Sequence, residues 1–344
     1  MTRKNKAKNQ DSKFFWNTAG GFLNNELPNI RKKSPNTVSS YRRSLNIYID
    51  YLEDVKGHNR VGICFGDFDK DNLKNYLSWM YDAKGWCEKT CNLRMAAIRS
   101  LLSFASEESL DVMPVFMNSK AVKGFTPPVR EIEYFEDYQL KALLSSPGTD
   151  KKSDRRNRMI IILGYDAALR VSELIDLKLE NLHLTAEVPY LTIFGKGSKY
   201  RNVPLMEKTI LHLKKYTEEF HVEADQQKPL FYVKTHGIDH CLSDDTIQML
   251  LKKYTYQCRE TIHMPENVHF HMLRKTRAMN LYQSECPLSY IQQLLGHESI
   301  STTSGFYAFA TLKTLADAIE KANPTDSTEK CWKNEDTLKK LYRL

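Results

Sequence analysis

Hydrophobic positions recur at helical spacing through the first third of the chain. Val38, Tyr41, Leu45, Ile49 and Leu52 fall on one helix face. Ser34-Pro35 provides the start, a capping hydroxyl followed by a proline in the first turn, and Gly57 provides the stop. Leu73, Tyr76, Leu77 and Met80 predict a second helix, and Ala97, Ile98, Leu101, Leu102 and Ala105 a third. No strand pattern of note interrupts them, so residues 34–121 are expected to form a small helical domain. Residues 1–33 are polar and basic, with Phe14, Phe15 and Trp16 as their few apolar cues, and read as a loosely held basic arm. Gly124 followed by Pro127-Pro128 cannot continue a helix, which makes 122–134 a linker. With Lys120, Lys123 and Arg130 beside it, that linker is either a strap lying against phosphate or a solvated connection.

From 135 to 323 the pattern is mixed. Leu140, Leu143 and Leu144 mark a helix, and Met159 to Leu163 the buried stretch of another. Tyr190 to Phe194 and Tyr200 to Val203 read as short strands joined by a Gly195-Lys196-Gly197-Ser198-Lys199 turn. Three further helices are expected over Thr246–Tyr256, His271–Tyr282 and Leu288–Leu295, the last closed by Gly296. Another follows Tyr307 through Leu312, Leu315, Ala316 and Ile319. Residues 324–344 open on Pro324 and place Trp332, Leu338, Leu341 and Leu344 at helix-compatible spacing, as either a docking helix or a frayed tail. The fold class expected is mainly α with a small β-sheet, in two domains.

Composition narrows the function classes. A chain of 344 residues exceeds the usual single-domain size, and 41% hydrophobic residues suffice for two cores. Lys plus Arg number 50 against 42 acidic residues, a net charge of +8 that suits a polyanion partner without demanding one. No run of about eighteen apolar residues exists to span a membrane. The basic stretch Met1 to Asn9 lacks the apolar core of a secretory signal. The seven cysteines are scattered and lack zinc-knuckle spacing, so reduced thiols and a cytoplasmic location are expected.

Four short stretches carry chemistry: Leu169-Arg170-Val171-Ser172-Glu173-Leu174, Gly195-Lys196-Gly197, His271-Met272-Leu273-Arg274, and Leu295-Gly296-His297 followed by Phe306-Tyr307. Taken singly, each has an ordinary explanation as a solvated arginine, a turn, a structural histidine or a packing tyrosine. Their order carries more weight. The series resembles the tyrosine recombinase (phage integrase) family, in motif detail over residues 135–323; the helical 34–121 segment is similar to that family's SAM-like core-binding domain in size and character.

The resemblance implies a C-shaped clamp around double-stranded DNA and a site-specific recombinase. Its mixed catalytic domain would cut and rejoin strands through a 3′-phosphotyrosine, with no metal, ATP or cofactor. The residue types suit that chemistry. Charge accumulates on the non-bridging oxygens of a phosphodiester during transfer, and a metal-free protein must offset it. Arg170 and Arg274 each offer a permanently charged planar fork matched to phosphate oxygens. His271 and His297 can donate to the phosphate or move a proton near neutral pH. Lys196, on a hairpin tip, would protonate the departing 5′ oxygen if neighbouring arginines and burial lower its pKa. Tyr307 would attack phosphorus, its phenol of pKa ~10 deprotonated with help from that positive charge. Glu173 would orient Arg170.

Two departures stand out. The family usually places the tyrosine nine positions after the Leu-Gly-His histidine; Phe306 holds that position here and Tyr307 follows it. Lys275 stands where many relatives have a histidine and is expected at most to touch DNA. His269 and His271 form a His-x-His pair, read as packing rather than metal ligation because no acidic ligands cluster there. Phosphate contacts are expected from Arg42, Arg43, Lys74, Arg94 and Arg99 in the first domain and from Arg201, Lys252 and Lys253 in the second. The partners implied are two DNA sites and a homotetramer built as a dimer of dimers, with a paired recombinase or a directionality factor as further candidates. Integration or excision of a mobile element is the leading role, with Xer-like resolution of chromosome or plasmid dimers as the alternative. A type IB topoisomerase, which shares the Arg, Lys, His and Tyr chemistry, a DNA-binding protein without catalysis, and a metal-dependent nuclease, which chelators would inhibit, are the other readings.

Overall fold

The structure, a computed structural model, describes residues 3–128, 132–195, 199–223 and 225–296. The chain divides into two compact units, Met1–Arg130 and Glu131–Leu344.

The first unit is helical. It contains α1 (Arg3–Gly21), α2 (Pro35–Asp54), α3 (Lys70–Ser78), α4 (Glu88–Glu108) and α5 (Met113–Ala121). Ser34 caps α2 as expected, its hydroxyl accepting from the Thr37 amide at 3.3 Å, and Gly57 takes φ +70° just beyond the end. The core is unusually aromatic. Tyr48, Tyr51, Phe68 and Tyr76 are fully enclosed, and the Tyr48 hydroxyl donates to the Asp67 carbonyl at 2.7 Å, which satisfies the polar end of a buried ring.

Within the loosely held arm expected over residues 1–33, the stretch from Ser12 to Leu27 packs into the core instead. Helix α1 runs into wider π-helical turns over Phe22–Ile30, and Phe15, Phe22, Leu23 and Leu27 enter the same core as Leu45, Leu52 and Leu101. Ser12 adds a hydrogen bond to the Val61 carbonyl at 2.8 Å. The apolar positions are few but lie on one helical stripe, and burying that stripe outweighs a polar average. The linker begins equally tied. Asn92 of α4 clasps Phe125, donating to its carbonyl at 2.8 Å and accepting from its amide at 2.9 Å. Arg130 lies outside the described residues.

The second unit orders its elements as α6 (Asp137–Ser145), α7 (Lys152–Asp166), α8 (Val171–Asp176), β1 (Leu182–His183), β2 (Tyr190–Gly195), β3 (Lys199–Pro204), α9 (Glu207–Phe220), β4 (Tyr232–Thr235), β5 (Ile238–Cys241), α10 (Asp244–Cys258), α11 (His271–Gln283) and α12 (Leu288–Leu295). Strands β1, β2 and β3 form one antiparallel sheet and β4 and β5 a separate hairpin. The β2–β3 register pairs Leu191 with Val203, Ile193 with Arg201 and Gly195 with Lys199. Because side chains alternate along a strand, Arg201 shares a face with buried Val203 and sits opposite buried Ile193. The core gathers Met159 to Leu163 of α7, Leu250 and Leu251 of α10, and Met272 and Leu273 of α11. Gly164 lets α7 and α11 meet closely: a Cβ there would stand 2.4 Å from Cζ of the buried Phe270 ring.

Candidate active site

The chain that follows α7 makes a tight turn. Ala168 adopts a left-handed conformation at φ +49°, which costs an alanine roughly 1–2 kcal/mol. Two things hold it there. Its methyl group packs in a buried cluster with Ala278, Ile291 and Leu295, and its carbonyl accepts from Arg274 Nη1 at 2.8 Å. The turn delivers Arg170 as the residue that caps α8.

Glu173, in the first turn of α8, is the centre of the site. Its side chain is 3% exposed and its two oxygens take four N–H donors. The Arg170 amide reaches Oε2 at 2.8 Å and Arg170 Nη1 reaches Oε1 at 2.6 Å. Arg201 binds with both tips of its fork, Nη1 to Oε1 and Nη2 to Oε2, each at 2.8 Å. Arg274 Nη1 stands 3.8 Å from Oε2. Burial alone would raise the Glu173 carboxyl, but hydrogen bonds and charge from Arg201, with added bonds from Arg170, hold it at about 2.

The three guanidinium groups differ in access. Arg170 is 31% exposed, Arg201 11% and Arg274 2%. Arg274 also donates through Nη2 to the Leu295 carbonyl, and Arg201 donates through Nε to the Leu294 carbonyl at 3.1 Å. The end of α12 is thereby fastened to the arginines. Gly296 closes that helix at φ +57°, and a Cβ there would lie 3.1 Å from Arg201 Cδ.

His271 opens α11, one turn ahead of Arg274. His271 is exposed by surface area, although protein atoms crowd one side of its ring. Desolvation by the surrounding protein, then the charges of Arg274, Lys275, His269 and Arg170, press its pKa down to about 4. The ring is therefore neutral at pH 7 and can accept a proton or donate through one nitrogen. Beside it, a cleft of about 660 Å³ is lined by Gln248, Lys252, Tyr256, Arg259 and His269.

The structure thus brings Arg170, Glu173, His271 and Arg274 into one neighbourhood from the ends of α8 and α11. Lys196, His297 and Tyr307 lie outside the described residues, as do the helix expected after Tyr307 and the segment 324–344. Among the expected phosphate contacts, Arg43, Lys74, Lys252 and Lys253 are exposed. Arg42 is exposed and donates to Asn24 Oδ1 at 2.8 Å; Lys275 is half-buried.

Three of the expected phosphate contacts have partners inside the fold. Arg94 is half-buried, donates to Ser44 Oγ at 2.8 Å and lies over the Trp86 ring. Arg99 is half-buried and donates to the Ser119 carbonyl at 3.2 Å and to that of Val122. Arg201 holds Glu173. Each guanidinium donates at least one hydrogen bond within the fold. For Arg201 the signal was in the strand pattern, since it alternates with Val203 on the buried face.

Residues 133–312 match the phage integrase family, and residues 22–109 match its N-terminal SAM-like domain. The chain belongs to the phage integrase family of tyrosine recombinases. Tyrosine recombinase XerD of Staphylococcus epidermidis is 30% identical over 275 residues, covering 78% of this chain and 86% of that protein. The XerD of Oceanobacillus iheyensis is 29% identical over 307 residues, covering 86% and 94%. In fold, the chain is similar to XerH site-specific recombinase bound to a palindromic difH substrate, with TM-score 0.65 and 20% identity over 84% of this chain and 81% of that one. It is also similar to a lambda integrase dimer bound to a COC′ core site, with TM-score 0.63 and 15% identity over 85% and 93%.

Proposed function

We propose that this chain recombines DNA at specific sites, with Tyr307 forming a covalent bond to a backbone phosphate. The supporting observation is the cluster built on Glu173, in which one buried carboxylate gathers Arg170, Arg201 and Arg274 and leaves an excess of positive charge beside His271. Such preorganised charge offsets what builds up on non-bridging oxygens during phosphoryl transfer.

In this reading Arg170, the most accessible of the three guanidinium groups, holds the phosphate, and Arg274, 2% exposed and bonded to the Ala168 and Leu295 carbonyls, adds its positive charge from beneath. The Tyr307 oxygen forms its bond to phosphorus as the bond to the 5′ oxygen breaks. His271, neutral at pH 7, takes the phenolic proton or steadies the phosphate, and His297 donates to the same group. Lys196 gives a proton to the 5′ oxygen. The 3′-phosphotyrosine retains the bond energy, and a 5′ hydroxyl from the partner duplex reverses the step without ATP, metal or other cofactor. Exposed Arg43, Lys74, Lys252 and Lys253 contribute sequence-independent phosphate contacts. The assembly is a dimer of dimers on two DNA sites, with segment 324–344 docking on a neighbouring copy. The cysteines among the described residues are free thiols, which suits a reducing cytoplasm. Sequence identity with XerD proteins favours the Xer-like role over the mobile-element role.

The test is a pool of nicked duplexes of randomised sequence, in which cleavage near the nick releases a short strand and traps the covalent intermediate. The wild-type protein is expected to form an adduct that survives denaturant, and Tyr307→Phe none. Equal adduct from both proteins would remove Tyr307 from the mechanism.

A further inference from the structure

Arg201 is fully engaged within the protein. All three of its guanidinium nitrogens donate within the protein: Nη1 and Nη2 to the two Glu173 oxygens and Nε to the Leu294 carbonyl. Its side chain is 11% exposed. It also lies against Gly296, where a Cβ would approach Cδ to 3.1 Å and Nη1 to 3.2 Å. A single side chain from β3 therefore touches both the carboxylate that holds Arg170 and the end of α12, after which the sequence continues directly to His297.

We propose that Arg201 is a positioning residue of the active site, setting the Arg170 guanidinium through Glu173 and fixing the end of α12 through Leu294 and Gly296. This inference rests on the recombinase reading above.

The argument is one of competition for a buried carboxylate. Glu173 accepts two donors at each oxygen, which satisfies its strongest lone-pair directions. Arg201 supplies a bidentate pair, the arrangement a planar guanidinium makes best. Arg170 adds one side-chain nitrogen and remains the most accessible of the three guanidinium groups. Without Arg201, two acceptor positions on an enclosed carboxylate lose their donors. The nearest mobile replacement is the Arg170 guanidinium, which would turn inward onto Glu173 and away from a phosphate. Loss of Arg201 would at the same time release the Leu294 carbonyl and open space against Gly296. Affinity for DNA, set by the exposed cations, would be little affected, whereas the transfer step would suffer.

The experiment compares wild type, Arg201→Gln, Arg201→Lys, Glu173→Gln and the Glu173→Gln/Arg201→Gln double variant on the nicked randomised duplex pool. Adduct formation is followed in single turnover, and affinity by filter retention across a salt series. Arg201→Gln is expected to slow adduct formation by about tenfold or more while the dissociation constant stays within about threefold and its salt slope is unchanged. The double variant should be slowed by less than the product of the two single losses, because both changes act in part through one carboxylate. Should Arg201→Gln fail to fold by circular dichroism, Arg201→Lys keeps the charge without the fork. It is expected to show the same split between rate and affinity, with a smaller loss of rate.

Weakened binding with a salt slope lower by about one would mark Arg201 as a phosphate contact and overturn the proposal. Independent, multiplicative losses in the double variant would overturn it as well, and so would an unchanged rate in Arg201→Gln. Absence of adduct from the wild-type protein counts instead against the recombinase reading, so the two failures are distinguishable.

Discussion

At the scale of single residues, Glu173 shows how a buried charge is tolerated and what it contributes. Its carboxyl sits at about 2 in the folded protein against an ordinary 4.5, so the unfolded chain binds the proton more readily between those values. The stabilisation is complete above about pH 4.5 and disappears as pH falls towards 2, with a full size of about 3 kcal/mol for a side chain this enclosed. Urea unfolding of wild type and Glu173→Gln should therefore show a gap that narrows by about 2 kcal/mol between pH 6 and pH 3. A gap independent of pH would mean that the carboxylate is not held by its arginines. His271, lowered from 6.5 to about 4, adds acid sensitivity in the higher window between those values, and it is common to both proteins. Arg170, Glu173, His271 and Arg274 are singled out in the sequence by type and order, and the fold brings them near one another. The double duty of Arg201 was not legible there. A sequence registers that an arginine is charged, while its partner depends on which strand face it occupies and on what α8 and α12 bring near it.

At the scale of elements, the site depends on how closely α7 and α11 pack, since the turn after α7 carries Arg170 and α11 carries His271 and Arg274. Gly164 sets that distance. Alanine is the better helix former by about 1 kcal/mol, but its Cβ would stand 2.4 Å from Cζ and 2.9 Å from Cε2 of the buried Phe270 ring. Overpacking of this kind costs roughly 1–3 kcal/mol, so steric conflict is expected to outweigh propensity. Gly164→Ala should lower the urea midpoint by an amount equivalent to about 1–2 kcal/mol and slow adduct formation as α11 is displaced. A variant as stable as wild type would show that the two helices have slack. Helices with strong local punctuation, such as α2 between Ser34 and Gly57, were readable from spacing alone. Helix α1 was not, because its apolar residues are thinly spread among polar ones and gain meaning only against the core of α2 and α4. The β4–β5 hairpin has no counterpart among the expected elements, and an exposed β5 offers no alternation to detect.

At the scale of the whole molecule, the cluster draws on residues far apart in the chain: Arg170 and Glu173 from α8, Arg201 from β3, and His271 and Arg274 from α11. The sequence conveyed this convergence only through a family resemblance, since no periodicity or charge count relates segments a hundred residues apart. The modest net charge of +8 was a poor guide by comparison. What matters is which cations remain exposed once Arg94, Arg99 and Arg201 are engaged internally, and that follows from the fold. In the proposed mechanism the nucleophile is the phenol of Tyr307, next to the Phe306 that occupies the family's usual position. The most direct measurement is therefore mass spectrometry of peptides from the adduct trapped on nicked DNA. The account predicts a nucleotide joined through its 3′ phosphate to Tyr307 on the peptide that contains Phe306-Tyr307. A nucleotide found on any other residue would contradict it.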